Sequence, residues 1–330
     1  MKDIYFEKDY GKLYEVIEEG KCEVFEFHHS LGTIRHMYIK REIPIQLSDE
    51  TYYDLVTPYG YGGPIIITGE QEDKPLLTAE FQNAFQKHCD EQRIVSEFIR
   101  FHPFISNAED FSKIYNISFR RNTTGTNLKD FENPVQEEFS KSARMNIKQA
   151  LKAGLTYRVT VNPESLDAFQ ELYYSTMKRN QADAIYYFDE TYFSDCLKYF
   201  SKNILLVEAI YENQVIGMTL NFIYKNTIHI HLGGTLEKFL PLSPVYLMLY
   251  GLTVWGKENG IDLIHSGGGR TSDLNDKLYL FKKRFGKNTE FNYFVGYKVW
   301  NEKIYEQLKE AAQVYSETEF FPAYRRKNNF

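Results

Sequence analysis

Cysteines are few in this chain, and no motif pairs them. Cys22, Cys89 and Cys196 are the three in 330 residues, and they form no CxxC step and no Cys/His cluster. That usage fits a reducing compartment and argues against a structural metal site. Long hydrophobic runs are missing too: none approaches the roughly 18 residues of a membrane span. The N-terminus, MKDIYFEKDYGKLYE, is polar and acidic, unlike a secretory signal. The expectation is a cytoplasmic protein without a transmembrane segment, in at most peripheral contact with the inner membrane surface. Positive charge is not in excess, since the formal net charge is −6. No global field then draws nucleic acid, and a polyanion such as tRNA needs a local patch. Walker, Rossmann and HExxH patterns are absent, and no Ser/His/Asp or Cys/His order suggests a covalent nucleophile.

Aromatic residues are abundant, with 26 Tyr and 25 Phe. Tyr suits a cleft for a sugar, peptide or nucleotide, because it joins an apolar body to a polar tip; large cores use the same residues. The length is enough for about two ordinary domains. Periodicity and turn residues predict a helix over 7–20, then strands at 21–28 and 33–44 joined as a hairpin around Leu31-Gly32. A Gly/Pro-broken loop at 54–67 that leads into a short strand, a helix over 76–92 with Thr78 as a candidate cap, a strand at 94–101 and a strand at 114–119, with 120–128 as its candidate extension, follow. A long helix is expected over 133–153, stopping at Gly154. Beyond it the pattern reads strand 155–161, helix 163–180 with Asn162 as cap and Pro163 in its first turn, and helix 192–200. Strands 204–211, 215–224 and 227–233 precede helix 245–259, strand 261–266, helix 276–285, strand 290–299 and helix 302–313. The fold class is α/β (α+β): two similar modules, each a mixed, mostly antiparallel sheet flanked by helices. The expected division is 1–132, a linking helix at 133–154, and 155–330, with no Ser/Gly or Pro-rich linker.

The stretch 228–286 carries the strongest functional signal. It runs strand, Pro-bounded loop, apolar helix, strand, Gly-rich turn and helix, and open α/β sheets place ligands at such strand ends. His229 and His231 alternate on the first strand, so they share a face. His231 reads as a general base or as a satisfied core group. SGGGR at 266–270 lets backbone amides approach a ligand, with Gly268 at its centre and Arg270 available for a phosphate or carboxylate; a simple turn fits the same residues. Asp273 and Asp276 follow as proton acceptors or helix caps, and Asp276 is well placed to cap the next helix. In TPYGYGGP at 57–64, Tyr59 and Tyr61 could stack on a sugar or base, or simply pack a turn. Arg144, Lys148 and Lys152 form a basic stripe on the long helix, which reads as a solvated face or as a phosphate contact.

The order of elements resembles the GNAT acyltransferase fold. The local sequences resemble its tandem, Fem-type branch, which includes the aminoacyltransferases that build peptidoglycan bridges and relatives that N-acylate amino sugars of surface polysaccharides. The matching segments are TPYGYGGP at 57–64, SARMNIKQALKAG at 142–154, YYSTMKRNQA at 173–182, HIHLGGT at 229–235, SGGG at 266–269 and LYLFKKRFG at 278–286. The charged coiled-coil arm of the large Fem enzymes has no counterpart, so the chain looks like a compact member. The resemblance implies that Phe281-Lys282 lies at the reaction centre, with Lys282 stabilising negative charge near the tetrahedral intermediate or on a substrate phosphate; by spacing alone, Lys282, Lys283 and Arg284 read as a solvated run. It also implies that Arg179 contacts substrate, with Tyr187 just beyond it. No tightly bound cofactor is implied. The donor would be aminoacyl-tRNA or an acyl-CoA. The acceptor would be an amine on a nucleotide- or lipid-linked sugar or muramyl peptide. Ordinary GNAT enzymes hold the CoA pyrophosphate in an R/Q-x-x-G-x-G/A loop. Here that position reads LEKFLPLSPVY, without glycine, which argues for another donor or for CoA held differently. A catalytically silent tandem-GNAT binding module is the alternative from another class.

Overall fold

The computed structural model describes residues 2–47, 49–183, 186–314 and 320–326. In chain order the elements begin with α1 (Lys8–Lys12), β1 (Gly20–His29), β2 (Gly32–Glu42), β3 (Tyr53–Val56), β4 (Ile65–Gly69), α2 (Lys74–Glu91), β5 (Ile94–Arg100) and α3 (Asn107–Asp110). Next come β6 (Asn116–Asn127), α4 (Pro134–Glu138), α5 (Lys141–Lys152), β7 (Thr156–Val161), α6 (Asp167–Arg179) and α7 (Glu190–Phe200). Then follow β8 (Ile204–Tyr211), β9 (Gln214–Tyr224), β10 (Thr227–Thr235), α8 (Pro244–Glu258), β11 (Leu263–Gly268), α9 (Lys277–Lys283), β12 (Glu290–Val299) and α10 (Glu302–Ala311). The chain folds as two compact units, Met1–Arg120 with Tyr293–Phe330, and Arg121–Asn292. These do not follow the expected chain-order division at 132 and 154: the last strand and helix cluster with the first unit.

In the first unit the sheet runs β1-β2-β3-β5-β12, with β4 also on β2. Only β3 and β5 run parallel among its described pairs. Phe81, Phe85 and Cys89 recur four apart on α2, so one helix face meets Ile34, Leu55, Ile94 and Trp300 in the core. Within that core His36 Nε2 meets a Glu97 oxygen, and the other Glu97 oxygen accepts from Tyr115 and Trp300 at 3.1 Å each. A buried carboxylate persists when its lone pairs are filled in this way.

In the second unit the order is β6-β11-β10-β9-β8-β7, and only β10 and β11 run parallel among the described pairs. Both units are therefore mixed, mostly antiparallel sheets flanked by helices, as the sequence led us to expect. The ILLV run of β8 is buried throughout, as a central strand covered on both faces should be. Apolar α8 crosses from β10 to β11, and its Leu247, Met248 and Leu252 pack with Leu205, Val207 and Ile264.

Some expected elements differ. The helix over 133–153 breaks into α4 and α5 because Phe139 turns extended and buries its ring, while Ser140 caps α5 through Ala143 N at 3.1 Å. Helix 163–180 starts only at Asp167: Asn162 has φ 54° instead of the extended backbone usual at an N-cap, and no helix begins at Pro163. Thr78 is interior to α2 and donates back to Lys74 O at 2.9 Å. The helix over 7–20 shortens to α1.

Candidate active site

The parallel pair at the centre of the second unit comes apart. Its ladder runs Thr227–Leu263, Ile228–Ile264 and His229–His265, then stops, although β10 continues to Thr235 and β11 to Gly268. Bulges mark both departures, between Ile230 and Leu232 toward β9 and between His265 and Gly267 toward β6. Beyond the bulges β10 stays with β9 and β11 stays with β6. The carboxyl ends of two neighbouring parallel strands thus open a wedge, where a ligand can reach backbone groups.

Just past the wedge, β11 ends in the Gly-rich turn that leads into α9. Asp276 closes that turn. Its Oδ1 accepts from Leu278 N and Tyr279 N, both at 2.9 Å, and its Oδ2 from Arg270 N at 3.0 Å, Thr271 N at 3.1 Å and Thr271 Oγ1 at 3.2 Å. The Tyr279 amide, with those of Thr271 and Arg270, holds this carboxyl down to about 2. Asp276 is therefore the helix cap that its position suggested. Gly269 fits beneath it, since a Cβ there would lie 2.5 Å from Asp276 Oδ1.

Lys282 projects from α9 back to β11 and donates to Gly268 O at 2.8 Å. The Arg121 guanidinium, from β6, donates to the next carbonyl, Gly269 O. Two cations thus converge on adjacent peptide groups. Burial and then the Arg121 charge push the Lys282 ammonium down to about 8, with Asp276 opposing. Phe281 lies beside it in a ring cluster with Tyr246, at 5.5 Å, and Phe285, at 5.4 Å, which fixes the rotation of α9. Thr126 Oγ1 donates to Phe285 O at 2.8 Å, and a Cβ on Gly286 would fall 2.0 Å from Gly125 O. Glu138, fully buried, accepts from Asn288 N at 2.9 Å, Asn127 N at 3.3 Å and Thr289 Oγ1. The end of α9 is therefore clamped against β6 and α4.

Of the residues expected at the site, Lys282, Phe281, Gly268 and Arg270 gather at this turn. Arg270 is exposed and contributes its amide to Asp276. Asp273 is exposed and receives Asn275 N at 2.8 Å and Asn275 Nδ2 at 3.2 Å, the work of a turn residue. It lines a shallow hollow with Arg121, Thr271 and Ser272. His231 sits elsewhere, under the rings of Tyr192 and Phe222, with Nε2 at 2.6 Å from Tyr192 Oη. Burial, then His229, lowers it to about 3, so it is a neutral imidazole at pH 7. His229 instead meets the ring of His265 at 5.6 Å, and His265 Nε2 lies 3.0 Å from Thr123 Oγ1. Arg179 spends its guanidinium on the end of β10, bonding Thr235 O at 2.7 Å and Thr235 Oγ1 at 3.3 Å. Tyr187 is exposed and stacks on Tyr174 at 6.2 Å.

Tyr59 and Tyr61 belong to the first unit, in the loop after β3. That loop is pinned: Gly62 N donates to Arg100 O at 2.7 Å, and Asn107 Nδ2 donates to Gly62 O at 2.8 Å and Pro64 O at 3.1 Å. Tyr61 packs edge-on against Tyr5 and Tyr293, at 5.2 and 5.3 Å. Tyr59 is exposed at its rim.

The sequence reading missed Arg121 and Tyr192. The Arg120-Arg121 pair sits in a strand of polar residues, where alternation puts the two on opposite faces; that was the available signal. The loop before α8 is a 3-10 helix, Glu237–Leu242, with Pro241 inside it. Ser243 follows with φ 59°, and Pro244 opens α8. Proline there removes one of the amides a helix start offers an anion.

Residues 137–278 match the GNAT acetyltransferase domain family. The chain carries a GNAT domain and is an acyltransferase. Its fold is similar to that of a crystal structure of FemX, at 14% identity over 92% of this chain and 94% of that one, with a TM-score of 0.68. It is also similar to the C-terminal domain of a putative lysylphosphatidylglycerol synthetase from Agrobacterium fabrum, at 13% identity over 93% and 92% of the two chains, with a TM-score of 0.56. L-PGS from Bacillus licheniformis aligns at 16% identity over 90% and 94%, with a TM-score of 0.53. No curated protein sequence matches the chain. The fold implied by the Fem-type resemblance is the fold found. Among the described residues, no helix is long and apolar enough to cross a membrane.

Proposed function

We propose that the chain is an N-acyltransferase of Fem type, which moves an aminoacyl or other acyl group onto an amine of a cell-envelope precursor. The acceptor would be a muramyl peptide or amino sugar, linked to a nucleotide or a lipid. The observation that carries this reading is the Lys282 ammonium, held 2.8 Å from Gly268 O where β11 has parted from β10. Acyl transfer to an amine needs alignment, a lost proton and stabilised negative charge rather than a nucleophilic side chain. The C–N bond forms as the donor's C–O or C–S bond breaks, and the amine proton passes to the departing atom through solvent or substrate. Lys282 stabilises the oxyanion or the charge that substrate brings. A neutral His231 bonded to Tyr192 suits alignment better than proton removal, and Asp273 serves the turn.

The Pro-bearing loop before α8 supports a donor other than CoA held in the usual cradle, and aminoacyl-tRNA is the donor this favours. An acetyl-CoA-dependent N-acetyltransferase acting on an amino sugar is the second reading, favoured by the acetyltransferase domain match at 137–278. Thermal-shift binding with aminoacyl-tRNA, acetyl-CoA and a nucleotide-linked muramyl peptide, followed by turnover with each binding pair, separates them. Stabilisation by acetyl-CoA alone would sink the aminoacyl-tRNA reading. Acceptor binding without turnover, unchanged in Lys282→Ala, would point to a silent binding module.

A further inference from the structure

We infer that Arg121 and Lys282 together form a two-cation receptor for a phosphoryl group of the substrate. The inference rests on the transferase reading above and names a ligand class for the same site.

The two side chains come from different elements, β6 and α9, and donate to consecutive carbonyls, Gly269 O and Gly268 O. Like charges converge only at a cost, and a built site offsets that cost with an anion. Among the described residues neither forms an ion pair with a carboxylate, although Asp276 is near enough to act on Lys282 through space. Both oxygens of Asp276 are filled by the amides and hydroxyl of its own turn. Asp273, on the hollow beside Arg121, is engaged by Asn275. Arg121 Nε is buried and has no hydrogen-bond partner. A buried donor left unmade is costly, and such groups in native proteins call for an explanation. With one Nη committed to Gly269, the Nε edge of the guanidinium remains, and that edge matches two oxygens of a phosphate.

A phosphoryl group has the oxygens to meet the Arg fork and the Lys ammonium at once, and charge enough to answer both. After burial, the Arg121 charge beside it is what lowers the Lys282 ammonium from its ordinary value. The phosphoryl group could come from a nucleotide-linked acceptor or from coenzyme A, and the chemistry recognised is the same.

The test is isothermal titration calorimetry of the full chain at low salt with inorganic pyrophosphate, a uridine-diphosphate amino sugar and coenzyme A. We expect pyrophosphate to bind, R121Q and K282Q each to weaken it about tenfold or more, and R121K, which keeps the charge and loses the fork, to weaken it less than R121Q does. Of the two larger ligands, the one weakened by R121Q by a similar factor is the source. A wild-type chain that binds none of the three, or R121Q that binds like wild type, overturns the receptor. Should R121Q fail to fold, the wild type decides through sulfate, whose charge is constant over the range. Sulfate affinity must fall as pH rises from 7 to 9.5, and a flat profile overturns the proposal. The two readings fail separately. Pyrophosphate binding that needs both cations, without acyl transfer from any donor, ends the transferase reading and keeps the receptor. An active enzyme whose kcat and KM are unchanged in R121Q ends the receptor alone.

Discussion

The Lys282 ammonium donates to the Gly268 carbonyl at 2.8 Å, tying α9 back to the end of the strand that precedes it. At this contact the side chain brings a positive charge as well as a hydrogen-bond donor. Lys282→Met, nearly the same volume without charge, should leave the fold intact and lower kcat about 10²- to 10³-fold, the usual loss when one stabilising donor is removed. Lys282→Arg should recover part of that loss. Steady-state acyl transfer with circular dichroism as fold control checks it; a Met variant with full kcat would remove Lys282 from the chemistry.

The same lysine sets a pH dependence. Its ammonium is pushed down to about 8 from 10.5, so the charge is present at pH 7 and lost as pH rises through 8. The profile of kcat/KM should fall on its alkaline side near that value, and the limb should be absent in Lys282→Met. Stability runs the other way. Between about 8 and 10.5 the unfolded chain holds a proton that the folded chain has released, so folding gains as pH rises there. Urea denaturation of wild type against Lys282→Met across that window should show the difference growing in favour of wild type.

His231 shows where sequence and structure part. Alternation placed His229 and His231 on one face, and Phe222, which pairs with His229, packs its ring on His231 at 4.9 Å. His231 also packs under Tyr192, from a helix remote in sequence, and no local pattern announces that pairing. Asp276 was legible because its role is local, the cap of its own helix, whereas Lys282 stood out only through the Fem-type resemblance and by spacing alone read as part of a solvated run. Arg121 was not legible because its partner, Gly269, lies far along the chain and only strand pairing brings them together. The strands and most helices were readable from periodicity, whereas the break at Phe139 and the left-handed Asn162 depend on tertiary burial and a single backbone angle.

His231 should accordingly be nearly silent in the pH profile. Its ring is held near 3 instead of 6.5, so it stays neutral through the working range. His231→Gln should change kcat by less than about tenfold, the lower edge of general acid–base effects, and remove no acidic limb. Its linkage has the opposite consequence for folding. The unfolded chain takes a proton below 6.5 that the folded chain refuses until about 3, so stability falls as pH falls between them. Denaturation midpoints of wild type and His231→Gln should converge toward pH 4; parallel curves would contradict the burial seen here.

Glu138 is a buried acid that holds the site from behind. Its oxygens fill two amides and a hydroxyl on the strand before it and the loop after α9. Glu138→Ala would leave those donors buried without partners, at about 3 kcal/mol in total. Glu138→Gln keeps one acceptor but turns an NH2 group toward a donor, so it should cost less than Ala and still be destabilising. Urea titration measures both, and a neutral Gln variant would show that the loop does not depend on this carboxylate.

Gly286 makes the closest approach in the same clamp. A Cβ on it would lie 2.0 Å from Gly125 O, a backbone atom of β6 that cannot swing aside. Either the loop after α9 lifts away from β6 or the strand moves. Because Thr126 Oγ1 holds the neighbouring Phe285 carbonyl at 2.8 Å, lifting the loop also breaks that bond. Gly286→Ala should therefore destabilise by about 1–3 kcal/mol and rotate α9. The rotation should carry Lys282 away from Gly268 and lower kcat more than the loss of stability alone explains. Differential scanning calorimetry alongside turnover at a temperature where the variant is fully folded separates the two effects. Wild-type turnover by the folded variant would mean that the position of Lys282 does not depend on the clamp.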